Sequence, residues 1–205
     1  MKKKLLYVSL ALALVLTALM PTLALAKARK PEATPFAGTA EVMVVDPGTS
    51  TMVGMKIITR GERIEGVFSS VEGWPALEGA SLSVHHNSII TLSSPDPDTG
   101  VGEFKGKAWA RMGVAMDGGR LFGIYRADIS GEYQFTPDGQ LVILWVLDQG
   151  TFKVMGRILD DGRTFVKANG EWAATLSLTP VGPGWTLAGY AQISGEYRTQ
   201  SSRSK

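Results

Sequence analysis

Four glutamates recur in one local setting: Gly102-Glu103-Phe104, Gly131-Glu132-Tyr133, Gly170-Glu171-Trp172 and Gly195-Glu196-Tyr197. Two carboxyl groups held roughly 5–9 Å apart can cleave a glycosidic bond, provided that one of them has a raised pKa. Converging carboxylates could also hold a cation. The chain has two histidines, His85 and His86, side by side. Either could act as a general base toward Ser81, Ser83 or a distant acid. These six residues are the candidates for chemistry, and each has a plainer reading.

Lys105 and Lys107 lie near Glu103, Arg126 shares the strand of Glu132, Lys167 precedes Glu171, and Arg198 follows Glu196. A neighbouring cation depresses a carboxyl pKa, which is the wrong direction for a general acid. Adjacent histidines on a strand face opposite sides and cannot chelate one ion. Asp96-Pro97-Asp98-Thr99-Gly100 begins like a calcium loop, but Lys107 stands where the bidentate glutamate belongs, so it reads as an ordinary loop. There is no Gly-x-Ser-x-Gly elbow, no phosphate loop leading into a helix, and no cysteine for thiol, thiolate-metal or disulfide chemistry. No catalytic residue, cofactor or metal is therefore assigned.

The elements that must carry these residues are strands. The chain contains 24 glycines and almost no stretch of helical period. Asp46-Pro47-Gly48, Asp117-Gly118-Gly119, Pro137-Asp138-Gly139, Asp160-Asp161-Gly162 and Val181-Gly182-Pro183-Gly184 mark reversals. Arg60-Gly61-Glu62-Arg63 reads as another, and His86-Asn87 as one more, between Ala80–His85 and Ser88–Leu92. The spacing predicts an all-β fold of about nine to eleven strands, an antiparallel meander closing into a small barrel, with a two-sheet sandwich as the alternative.

Alternation then predicts which side chains turn inward. Val166, Ala168, Gly170, Trp172, Ala174, Leu176 and Leu178 share one face, and so do Tyr125, Ala127, Ile129, Gly131, Tyr133 and Phe135. Ala191, Ile193, Gly195 and Tyr197 do the same. In every Gly-Glu-aromatic copy the glycine and ring share the apolar face while the glutamate points away. A ring on the neighbouring strand can cover such a glycine, and the glycine lets the sheet coil. Leu141–Leu147 is apolar throughout and predicts a strand buried on both faces, under a loop or an added segment or at a subunit interface. Trp74 and Trp185 read as half-buried aromatics at loop or strand ends.

Residues 1–26 predict a cleavable signal peptide: Lys2-Lys3-Lys4, an apolar run from Leu5 to Met20, then Pro21 and Ala24-Leu25-Ala26. A polar linker follows over 27–35, one domain over 36–199, and a disordered tail over 200–205. The full chain carries 21 Lys+Arg and 19 Asp+Glu, and without the leader's three lysines 18 face 19, a formal −1. That balance gives no general affinity for nucleic acid. A membrane-spanning barrel is disfavoured by the mixed charge on the polar faces and by a chain ending Ser201-Ser202-Arg203-Ser204-Lys205.

The sequence thus predicts an exported protein, secreted or periplasmic, acting as a soluble, non-catalytic binding or structural module. Its expected partner is a small apolar ligand or a protein, with self-association through Leu141–Leu147 a further option. The alternative is an extracytoplasmic hydrolase or isomerase using strand-borne carboxylates with a histidine.

Overall fold

The computed structural model describes residues 31–158, 164–182 and 184–201. The proposed leader and the Asp160-Asp161-Gly162 reversal lie outside them. Nine strands follow in order: β1 (Thr34–Asp46), β2 (Thr49–Val53), β3 (Lys56–Glu72), β4 (Ser81–Leu92), β5 (Val101–Met116), β6 (Gly119–Phe135), β7 (Leu141–Ile158), β8 (Thr164–Val181) and β9 (Gly184–Ser201). β1 thus begins inside the stretch read as linker, and β9 runs into the stretch read as tail.

Each strand from β3 to β9 pairs antiparallel with the next, and β1 pairs with both β3 and β9. The hydrogen bonds therefore form a ring through eight strands, while β2 pairs only with the first part of β3. The sandwich alternative is excluded by this closure. Stepping along the ladders from Ala40 through Ala191, Ala174, Asp148, Ile129, Gly106 and Ile90 returns to β3 at Ile57, not at Ala40's own partner Phe68. That displacement is the stagger a tilted, closed barrel requires.

The alternation predicted from sequence holds for most of the inward set, though Phe135 at the end of β6 is exposed and Leu178 is half-buried. Val166, Ala168, Trp172, Ala174 and Leu176 are buried, as are Tyr125, Ala127, Ile129, Tyr133, Ala191 and Ile193. At one end a short 3-10 turn, Pro75–Leu77, seats Leu77 and Trp74 in the opening. Trp74 stacks on Tyr197 at 4.4 Å and meets Phe36 edge-on at 5.2 Å. Trp185, in contrast, is exposed on the β8–β9 hairpin, because no strand passes over that tip.

The repeated tripeptide has a reciprocal geometry on β5 and β6. Gly102 faces Tyr133 and Phe104 faces Gly131, with Glu103 opposite Glu132 on the outer side. A Cβ at Gly102 would lie 2.4 Å from the Tyr133 ring, so the ring occupies the space the glycine leaves. A Cβ at Gly131 would lie 2.1 Å from the Trp145 carbonyl oxygen, so there the backbone itself demands glycine. The same residue type thus answers a side chain in one strand and sheet coiling in the other.

Three expectations are corrected. Arg60-Gly61-Glu62-Arg63 does not reverse the chain but lies within β3, where the register against β4 shifts between Thr59 and Glu62. Gly61 takes φ +71° there and donates its N–H to Asn87 Oδ1 at 3.1 Å, so the turn chemistry is spent on a bulge. His86-Asn87 is also not a turn, since β4 runs unbroken through it with ladders on both sides. Finally, Leu141–Leu147 is half-buried along its whole length, because nothing among the described residues covers its outer side.

Candidate functional site

The four repeat glutamates do not converge. Glu103, Glu171 and Glu196 are exposed on the outer face and Glu132 is half-buried there. Glu103 sits opposite Glu132 on one side of the barrel, while Glu171 and Glu196 lie on β8 and β9. None of them forms an ion pair among the described residues; the pairs present are Arg63–Glu65, Lys107–Asp128 and His86–Glu62. His85 points outward and is exposed, whereas His86 points inward and is 5% exposed. Asp96 builds a loop: its Oδ1 accepts the N–H groups of Asp98 and Thr99, which hold its carboxyl below the usual range.

The interior carries an ionisable group that the repeat did not announce. Ile57 and Ile64 are both buried although they are seven positions apart, an odd offset, because the bulge at Gly61 shifts the parity of β3. The shift turns Glu62 inward, directly opposite His86. Glu62 Oε2 accepts a 2.6 Å hydrogen bond from His86 Nδ1. Burial pulls the histidine's pKa down, but the hydrogen bond and charge of Glu62, joined by the charge of Asp148, hold it above its ordinary value.

Asp148, 5% exposed, enters from β7 and accepts a short hydrogen bond from the Tyr125 hydroxyl. Tyr125 leans across two small residues, Ala127 on its own strand and Gly150 on the next. Burial raises the Asp148 carboxyl above its ordinary range, against the opposing effects of Tyr125 and His86. It also raises Tyr125, with the charge of Asp148 adding to the effect. The cluster is therefore a hydrogen-bonded His86–Glu62 pair facing a hydrogen-bonded Tyr125–Asp148 pair within an apolar barrel.

Two of the surrounding nitrogens, His86 Nε2 and Trp172 Nε1, are buried without a protein partner. Beside Trp172 the packing leaves a cavity of about 20 Å³, lined by apolar side chains such as Met112, Leu121 and Phe152. That is room for about one water molecule. Sequence reasoning found His86 but placed it in a turn, and missed Glu62 for the same reason. Asp148 was legible: it alternates with Val146, Gly150, Phe152 and Val154, and so belongs to the inward face.

The outer face is asymmetric. Four successive rungs across β5, β6 and β7 hold Trp109–Arg126–Thr151, Arg111–Ile124–Lys153, Gly113–Phe122–Met155 and Ala115–Arg120–Arg157. These rungs contain five cations, four large apolar side chains and no acid. Trp109 is 43% exposed, Ile124 52%, Met155 54% and Phe122 61%. On the opposite side, β1 and β3 turn Glu41, Glu65 and Glu72 outward together with Lys56, Arg60 and Arg63, so charges of both signs mix there. The near-zero net charge thus conceals a basic face on β5–β7. An apolar interior with charge outside is the reverse of what a bilayer-spanning barrel needs.

No known protein family matches the chain, and no curated protein matches it. Two solved structures do, both of Ail, the attachment invasion locus protein of Yersinia pestis, one of them in complex with the heparin analogue sucrose octasulfate. They are 9% and 10% identical to this chain, with TM-scores of 0.20 and 0.19. Each covers 82% of this chain and 99% of its own. Likeness this distant carries no argument about function.

Proposed function

We propose that this protein is an exported, soluble, non-catalytic module that works by binding at the outer face of β5–β7. The observation that carries the reading is the contrast between the two faces of the sheet. Groups able to exchange protons, His86, Asp148 and Tyr125, are buried among packed apolar side chains, with Glu62 turned toward them and half-buried. Large apolar side chains and cations stand together in solvent on the outside. Monomeric soluble proteins seldom expose a contiguous apolar patch without using it. A bound apolar ligand inside the barrel would require the core to repack, so the partner belongs to the exterior.

Carbethoxylation of histidine tests this directly, since the two histidines differ only in the face they present. In the folded protein His85 is expected to react with diethyl pyrocarbonate while His86 stays unmodified until denaturant is added, as read by peptide mass spectrometry. Rapid modification of His86 in the native state would show that reagents reach the interior, and the hydrolase or isomerase alternative would then return. Export makes a second prediction. The protein recovered from outside the cytoplasm should begin at Lys27, by intact mass, and a retained leader would remove the export part of the proposal.

A further inference from the structure

We infer that the partner of the β5–β7 outer face is the surface of an anionic phospholipid bilayer; this rests on the reading of that face as the working surface. Arg111, Arg126, Lys153 and Arg120 are exposed and make no ion pair among the described residues, and the only acid on the adjoining rung, Asp128, is already paired with Lys107. Such a surface complements a dense negative one.

The apolar residues decide which negative surface. A nucleic acid or sulfated polysaccharide offers charge, hydrogen-bonding groups and, in the first case, flat bases to stack upon. Ile124 and Met155 can do nothing with these. Phe122 packs beside Gly113, where a Cβ would be 3.7 Å from its ring. Aliphatic and aromatic groups set between cations suit a bilayer interface, where phosphates meet the cations and the apolar tips reach the acyl boundary. Trp109, at the margin of the patch, has the amphipathic ring favoured at that depth.

Vesicle co-sedimentation of the exported protein tests the inference, with circular dichroism confirming that each variant is folded. Wild type is expected to sediment with phosphatidylglycerol vesicles and not with phosphatidylcholine vesicles. Replacing Arg111, Arg126 and Lys153 by Gln should lower partitioning on the order of 100-fold, about fivefold for each cation. Phe122→Ser with Ile124→Ser, which leaves every charge in place, should lower it by about tenfold or more. Absence of sedimentation with anionic vesicles at low salt overturns the lipid assignment, and so does sedimentation that either variant retains in full. A dextran sulfate column separates the two layers of the argument. Retention that the triple Gln variant loses, without vesicle binding, would mean that the lipid is wrong and the working face right. If no probe responds to these substitutions, both fall.

Discussion

Replacing Tyr133 by Ala is expected to destabilise the barrel by about 4 kcal/mol in urea unfolding, the cost of removing a large ring from a sealed site. Tyr133 is 0% exposed, and its hydroxyl donates to the Ser93 carbonyl at 2.6 Å, tying the β4–β5 loop to the barrel rim. Tyr133→Phe, which keeps the ring and loses only that bond, should cost about 1 kcal/mol. Gly102→Ala alone should cost about 2 kcal/mol, because its Cβ would sit 2.4 Å from the ring. The three atoms nearest that Cβ all belong to Tyr133. In the Tyr133→Ala background the same Gly102→Ala change should therefore be nearly free, and the two losses should fall short of their sum by more than about 1 kcal/mol. Gly131→Ala offers the contrast. Its obstruction is the Trp145 carbonyl, so pairing it with Phe104→Ala should leave most of the damage in place. Strict additivity of Gly102→Ala and Tyr133→Ala would sink the account of glycine and ring as one fitted unit.

That pairing shows how much of this fold was legible. Period-two alternation separated glycine and ring from glutamate in all four copies, because strand parity depends only on the backbone. Three of the five clear turn signals sit at hairpins and a fourth, Asp46-Pro47-Gly48, joins β1 to β2, which pair with β3 and not with each other. Each carries a glycine at positive φ, a local requirement. What sequence could not supply was context. Gly61 carries the same chemistry as a turn, and only the ladders on its two sides make it a bulge that re-aims Glu62. His86-Asn87 looked like an interruption because two polar residues broke an apolar pattern. The pattern was intact, and the inward-facing polar residue had a partner twenty-four positions earlier in the chain. The basic face was invisible for a related reason. Its residues come from three strands and gather only when the registers are known, whereas composition averages them against the acids of β1 and β3.

The interior cluster makes the other large prediction, and its sign follows from the direction of two shifts. His86 is held above its ordinary 6.5 in the folded barrel. The stability it contributes is complete at pH below that value and is lost as pH climbs through the raised one. Asp148 is raised above its ordinary 3.8, chiefly by burial, so the folded state again binds its proton more tightly than the unfolded chain. Its contribution declines from 3.8 upward until the raised value is passed. Both groups act in the same direction, and the barrel should be more stable at about pH 5 than at about pH 8. Asp148→Asn keeps an oxygen to accept the Tyr125 hydroxyl and removes the buried charge. It should flatten this slope and raise stability above wild type at the alkaline end. His86→Leu destabilises instead, leaving Glu62 turned into an apolar barrel toward Asp148 with no cation between them. The expected loss is about 3 kcal/mol, greatest below the pH at which His86 sheds its proton, where the imidazolium is present to be lost. If His86→Leu fails to fold, Asp148→Asn still decides the matter. An unchanged pH slope in that variant, or a wild type that gains stability as pH rises from about 5 to about 8, would remove the cluster as the source of the pH dependence.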